Sequence, residues 1–321
     1  MSGLSRSLWD ATPPSVAVEL SAHHVAAASV EPRGDTRVVR AHAVAPLPEG
    51  ALVPSLTAAN VRDRDAVVAA LKRVLEQVGN PRRIGLVIPD PVAKVSLVKF
   101  QQVPSDHQEL DQLIRWQVRK AAPFAIEEAQ VSFVKGAQSS DGQEFIVSLA
   151  KREIVVEYEG VCTESGAHAG VVDLSTFNVI NAILGGSGAP SGDWLLVNVA
   201  PDWASMAILR GQELMFFRSR GSEGEGTLAD LVHQTAMYYE DRLSGAGFSR
   251  VMLCGASSSG GAHSPDGAAL RRSLEERLGT TVNPVDPRTA ASLTDRIDGS
   301  ATLMDILAPL VGMLVREGEA A

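Results

Sequence analysis

The chain has few cysteines, no basic stripe and no long apolar run, and each shortage removes a class of function. Its two cysteines, Cys162 and Cys254, each sit in an apolar segment, which excludes a disulfide framework and suits small buried residues in a reducing compartment. Lys and Arg number 29 against 38 Asp and Glu, giving a net charge of -9. The clustered cations that release counterions from nucleic acid are missing. No run reaches the roughly 18 apolar residues that span a bilayer, and the N-terminus MSGLSRSLWDATPPS lacks the apolar core of a signal peptide. The expectation is a cytoplasmic protein with no direct membrane insertion. The seven histidines are scattered. His23 and His24 have no third ligand at a usable spacing, so they read as exposed turn residues rather than metal ligands.

What is present is ordinary for packed domains: 321 residues, 45% of them hydrophobic, enough for two sizeable cores. The stretch WLLVNVAPDWASMAILRGQELMFFRSR reads as a three-stranded meander, with Leu195, Val197 and Val199 on one side of its first strand and turns at Ala200-Pro201-Asp202 and Gly211-Gln212. Asp202 reads as a turn residue. Upstream, Val16 to Glu19 and Val25 to Val30 form a hairpin, Arg37 to Ala45 a further strand, and Ile84 to Ile88 a strand buried on both faces and closed by Pro89-Asp90-Pro91. Helices are expected over Asp63 to Val78, Asp106 to Lys120, Arg152 to Glu164, Ser175 to Leu184, Thr227 to Leu243, Ala268 to Leu278 and Leu303 to Glu317. Val92 to Val98, Gln130 to Lys135 and Glu144 to Ala150 alternate as strands, as do Ala169 to Leu174, Arg250 to Cys254 and Val282 to Val285. Gly185 to Gly192 and the GSEGEG stretch read as linkers, and Ser257 to Gly267 as a loop. Trp116, flanked by Arg115 and Arg119, reads either as core or as a partner contact.

Several segments carry a resemblance to a known family: SVAVELSAHHVAAASV, LIRWQVRKAAPFAIEEAQVSF, GVVDLSTFNVINAI, the meander, and VMLCGASSSGG. Together they resemble the actin-like ATPase fold. Within that fold the chain is similar to the type IV pilus assembly protein PilM family, a relative of the cell-division protein FtsA and of the cytoplasmic domain of the type II secretion L protein. The resemblance implies an α/β, ribonuclease H-like fold of two lobes with an inserted α+β (SHS2-like) subdomain. A disordered lead-in would occupy 1–15. The first lobe would take 16–91, 168–188 and 303–317, the insertion 92–167, and the second lobe 193–302.

The family's nucleotide site grips ATP between two hairpin turns patterned Asp-x-Gly, whose glycines let backbone N–H groups approach the phosphates and whose aspartates position Mg²⁺. By position that site falls here on Glu19, Ser21, Asn198, Ala200 and Gly255. Glu19 keeps a carboxylate, whereas Ser21 and Ala200 replace glycines and Asn198 replaces an aspartate. The adenosine-side Leu-x-Gly-Gly becomes Leu253-Cys254-Gly255-Ala256. Binding of ATP and Mg is therefore expected to be weak or absent, with no catalytic and no metal-ligating residue. The resemblance implies a scaffold of the pilus inner-membrane platform. It would receive the N-terminal tail of a PilN-like inner-membrane protein in a groove between the first lobe and the insertion, and contact other platform proteins. The lining is expected within Ile84 to Ile88, Val92 to Val98 and the helix around Trp116. The alternative is an active ATPase or small-molecule kinase of the actin, Hsp70 and sugar-kinase superfamily, which needs a general base and an intact phosphate cradle.

Overall fold

The computed structural model describes residues 14–34, 36–186, 190–221, 227–257, 267–295 and 297–316. Most of the expected lead-in, the centre of the Gly185 to Gly192 linker, the acidic link after Gly221, most of the Ser257 to Gly267 loop and Glu317 lie outside these residues.

The chain runs β1 (Val16–Leu20), β2 (His24–Arg33), β3 (Thr36–Pro46), α1 (Arg64–Gln77), β4 (Arg83–Ile88), β5 (Ala93–Phe100) and α2 (His107–Val118). It continues through β6 (Ala129–Ser139), β7 (Gly142–Lys151), α3 (Arg152–Glu164), β8 (His168–Leu174) and α4 (Ser175–Gly186). The second half comprises β9 (Asp193–Val199), β10 (Trp203–Arg210), β11 (Glu213–Gly221), α5 (Leu228–Leu243), β12 (Arg250–Cys254), α6 (Gly267–Leu278), β13 (Val282–Pro284), β14 (Ser292–Leu293) and α7 (Ala301–Val315). Helix starts follow their caps: Asp63, Asp106, Thr227 and Ser300 each accept from a backbone N–H of the first turn.

Three sheets form. The first is ordered β14-β3-β2-β1-β4-β8, the second β11-β10-β9-β12-β13, and the third β5-β7-β6. In the first sheet, alternation along β1 separates two cores. Val16, Val18 and Leu20 pack toward α1 and α3, whereas Ala17 joins Ala26 and Ala28 against α7. Small residues on that face let an almost wholly apolar helix lie close. Gly85 belongs to the same accommodation, since a Cβ there would sit 2.6 Å from Met313 Cγ. Helices α4 and α7 cross at Gly312, where a Cβ would meet the Asn178 carbonyl oxygen at 1.6 Å. In the second sheet Leu195, Val197 and Val199 face α5 and α6, and Trp194 and Leu196 face α4 and α7.

Strands β5 to β7 carry α2 on one face through Leu110, Ile114 and Val118. Helix α3 goes elsewhere: Ile154, Tyr158, Val161 and Cys162 join Val67, Leu71 and Val74 of α1 beneath the first sheet. The Tyr158 hydroxyl donates to Asn60 Oδ1 at 3.1 Å. Strand β14, late in the chain, returns to pair in parallel with β3.

Candidate functional site

Glu19, Ser21, Asn198, Ala200 and Gly255 line one cleft between the first and second sheets, together with His23, His24, Ser175, Asp202, Asp305 and Pro309. The fold brings them together because β1 and β9 end at the same level, and each leads into a tight turn to its antiparallel neighbour.

At the first turn Glu19 is 8% exposed. Its Oε1 accepts from the Ser175 hydroxyl at 3.3 Å, and its Oε2 lies 3.6 Å from His24 Nε2. His23 is exposed, but His24 is not the exposed turn residue expected: β2 begins there and folds the ring back toward Glu19. The Ser21 N–H donates to the His24 carbonyl at 3.0 Å, and the Ser21 hydroxyl both donates to that carbonyl at 2.8 Å and accepts from the His24 N–H at 3.1 Å. Every polar group Ser21 would offer a phosphate is engaged within its own turn. The second turn behaves alike, with the Ala200 N–H donating to the Trp203 carbonyl at 2.8 Å.

Gly255 has a structural obligation of its own. Its φ is +83°, and a Cβ would lie 1.9 Å from the Val199 carbonyl oxygen, so only glycine lets the end of β12 close against the end of β9. Beyond it the Ser257 N–H donates to Asp305 Oδ2 at 2.7 Å. Pro309 lies inside α7. It has no N–H to return to the Asp305 carbonyl, and the Cys254 thiol takes that carbonyl as acceptor at 3.9 Å. Burial pushes the Cys254 thiol well up, and the Cys162 thiol up to about 12, so both stay neutral.

Beneath the cleft a buried chain of hydrogen bonds joins the two halves. Asn198 Nδ2 donates to Thr176 Oγ1 at 2.9 Å, Thr176 Oγ1 donates to Asp90 Oδ2, and the Thr176 N–H donates to Asp90 Oδ1 at 3.1 Å. Burial pushes the Asp90 carboxyl up to about 6; contacts with Ser205 and Thr176 pull it back, and the charge of Asp173 adds to the rise. Ser205 Oγ makes no hydrogen bond of regular geometry, so Thr176 is the firm partner. Sequence reasoning missed Asp90, Thr176, Ser175 and Asp305. The one available signal was Asp90 between two prolines, in a turn closing a fully apolar strand.

The cleft encloses about 70 Å³, against the roughly 300 Å³ or more of small-molecule pockets in general. Among the described residues no group of three His, Cys, Asp or Glu could hold a metal ion.

A second concavity runs along β8. This strand ends the first sheet, and its free edge and the face of the third sheet turned away from α2 line a shared groove. One section, about 370 Å³, lies between β8, β6, β7 and α3; the next, about 540 Å³, extends to α4 and the β10–β11 turn. Of the lining expected from sequence, Ile88 and Ala93 contribute. The rest of β4 is flanked by β1 and β8 and offers no edge. Trp116 stands apart on α2, 69% exposed.

No curated protein matches the chain in sequence. Among solved structures, one described as a PilM-PilN type IV pilus biogenesis complex superposes with a TM-score of 0.77 at 17% identity, covering 94% of this chain and 97% of that one. A Bacteroides thetaiotaomicron protein described as having an actin-like ATPase fold and unknown function superposes at 0.51 with 13% identity, covering 93% of this chain and 95% of that one. At these identities the likenesses show the fold, that of actin-like ATPases. The sequence profile described as type IV pilus assembly protein PilM matches residues 17–242, and over that majority of its length the chain belongs to the PilM family.

Proposed function

We propose that this protein is a cytoplasmic scaffold of type IV pilus assembly, held at the inner membrane by docking the N-terminal tail of a PilN-like membrane protein along the edge of β8. The observation carrying this reading is the groove between β8, which ends the first sheet, and the face of the third sheet turned away from α2. Unpaired strand edges accept an extended peptide by main-chain hydrogen bonding, while side pockets select its residues. The groove also holds Val156 and Val134, exposed at 56% and 40%. A solved protein of the same fold is described as a PilM-PilN complex, which supports the choice of partner. No helix among the described residues is long and apolar enough to cross a membrane, consistent with attachment through a partner. In this reading the lobes comprise 16–91, 168–188 and 303–317, and 193–302, with 92–167 inserted and α3 returning to the first lobe's core.

Three features of the cleft support weak or absent binding of Mg-ATP. The cleft's volume is small, the turn amides at Ser21 and Ala200 are engaged, and Asn198 faces Thr176. We therefore read Glu19, Ser21, Asn198, Ala200 and Gly255 as vestigial nucleotide-site positions, with binding of ATP and Mg weak or absent. An active ATPase or kinase would need an open phosphate cradle and a base aimed at an acceptor.

The test is binding of fluorescently labelled N-terminal tails from candidate pilus membrane proteins, followed by anisotropy. One tail is expected to bind, and Val156→Arg to weaken it by about tenfold or more by placing a charge in the groove. Failure of every tail, alongside ATP-dependent action on a small molecule, would overturn the scaffold reading.

A further inference from the structure

We propose that the C-terminal end of α2 is a membrane-contact surface, in which Trp116 enters the headgroup region of an anionic bilayer and Arg119 and Lys120 meet lipid phosphates. This rests on the scaffold reading only in that tail docking would bring the surface near the membrane.

Helix α2 buries Leu110, Ile114 and Val118 and turns Gln112 and Trp116 outward, and the 3-10 turn that continues it exposes Arg119 and Lys120. They follow Trp116 by three and four positions, so the exposed indole and both cations stand at the same end of α2. Arg115 is excluded from this set, because Asp111 holds it at 2.7 Å. Arg119 and Lys120 form no ion pair among the described residues. Glu127 and Glu128 are exposed on the short 3-10 turn before β6 and form no ion pair with either cation among the described residues. Glu109 lies on the same face seven positions back, about 10 Å along the axis and so about one Debye length away.

The local chemistry contrasts with a chain of net charge -9. An indole 69% exposed, close in sequence to two exposed cations, suits a soft, anionic, planar surface. Tryptophan partitions to the headgroup level, and each basic residue near an anionic surface adds affinity. The docking groove lies on the opposite face of the three-stranded sheet, lined by Ser132, Val134, Ile146 and Ser148, so both surfaces can be occupied together. Individually weak contacts then gain from the effective concentration that a docked tail supplies.

The test uses full-length protein carrying Trp9→Phe, which leaves Trp116 as the exposed reporter, since Trp194 and Trp203 are buried. It is mixed with vesicles of phosphatidylglycerol or of phosphatidylcholine at millimolar lipid and low salt. Expected are a blue shift of emission and co-sedimentation with phosphatidylglycerol only. Trp116→Ala should abolish the shift, and Arg119→Glu and Lys120→Glu should each lower partition about fivefold. Tail binding by anisotropy should be unchanged in all three variants, which separates this surface from the groove. Absence of partition into phosphatidylglycerol, or partition unaffected by the variants, overturns the proposal. Loss of binding to a soluble pilus protein in Trp116→Ala, without vesicle binding, assigns the surface to a protein instead. Vesicle binding without tail binding leaves this proposal standing and removes the docking reading.

Discussion

The Asn198 amide nitrogen lies 2.9 Å from the Thr176 hydroxyl, whose own proton goes to Asp90. With Asp90 ionised, as it is above about pH 6, the chain has one direction: Asp90 accepts, Thr176 relays, and Asn198 donates. Asn198 therefore serves as a buried clasp between β9 and the start of α4, and an ionised carboxylate there would leave Thr176 with two acceptors for one proton.

Asn198→Asp is expected to cost about 1–3 kcal/mol of stability by unpairing a buried group beside Asp90. The loss should be larger at neutral than at acid pH, because protonation restores a donor. Urea unfolding at several pH values checks this, and an unchanged midpoint would show that the amide does not act as a clasp.

Asp90 sets a pH dependence of its own. Its carboxyl is raised from 3.8 to about 6, so between these values the folded state holds more protons than the unfolded one. Its contribution is fully present below the lower value and is lost as pH rises through about 6. The amount is about 2–3 kcal/mol for full burial of the charge. In Asp90→Asn the fall in stability between pH 4 and 6 should flatten, as read from unfolding free energies across that window.

Gly255→Ala should destabilise the protein by about 2 kcal/mol or more, combining a positive φ with a Cβ placed 1.9 Å from the Val199 carbonyl. Thermal unfolding measures it. A neutral outcome would mean that β12 and β9 can separate at their ends without cost, and that the cleft is more open than 70 Å³ implies.

Mg-ATP at millimolar concentration should leave the melting temperature unchanged. A ligand present at 100 times its dissociation constant stabilises by about 2.7 kcal/mol, so a clear upward shift would refute the vestigial reading of Glu19, Ser21, Asn198, Ala200 and Gly255. Repeating the scan with Asn198→Asp separates loss of the metal-side charge from loss of space.

Much of the fold was legible because its signals are local. The 3.6-residue stripe Ile154, Tyr158, Val161 makes α3 a helix wherever it packs, and Asp63 and Thr227 cap the helices they precede. The five cleft positions were legible as residue types at turn positions. Their partners were not. Ser175 reaches Glu19 across 156 residues and Thr176 reaches Asp90 across 86, and no periodicity or spacing carries such pairs. His24 illustrates the same limit: its place at a turn suggested exposure, but the strand it begins turns the ring toward Glu19.

By itself the sequence determined the run of strands and helices, the replacement of glycine and aspartate in both turns, and the family likeness, because all three reside in residue types and short-range order. Only the tertiary structure decided what the replacements do. It turned Asn198 toward Thr176, engaged the Ser21 and Ala200 amides within their own turns, and set the edge of β8 beside the open face of the third sheet. Hydrogen-bond direction, enclosed volume and strand-edge exposure arise only when segments far apart in sequence are packed against one another.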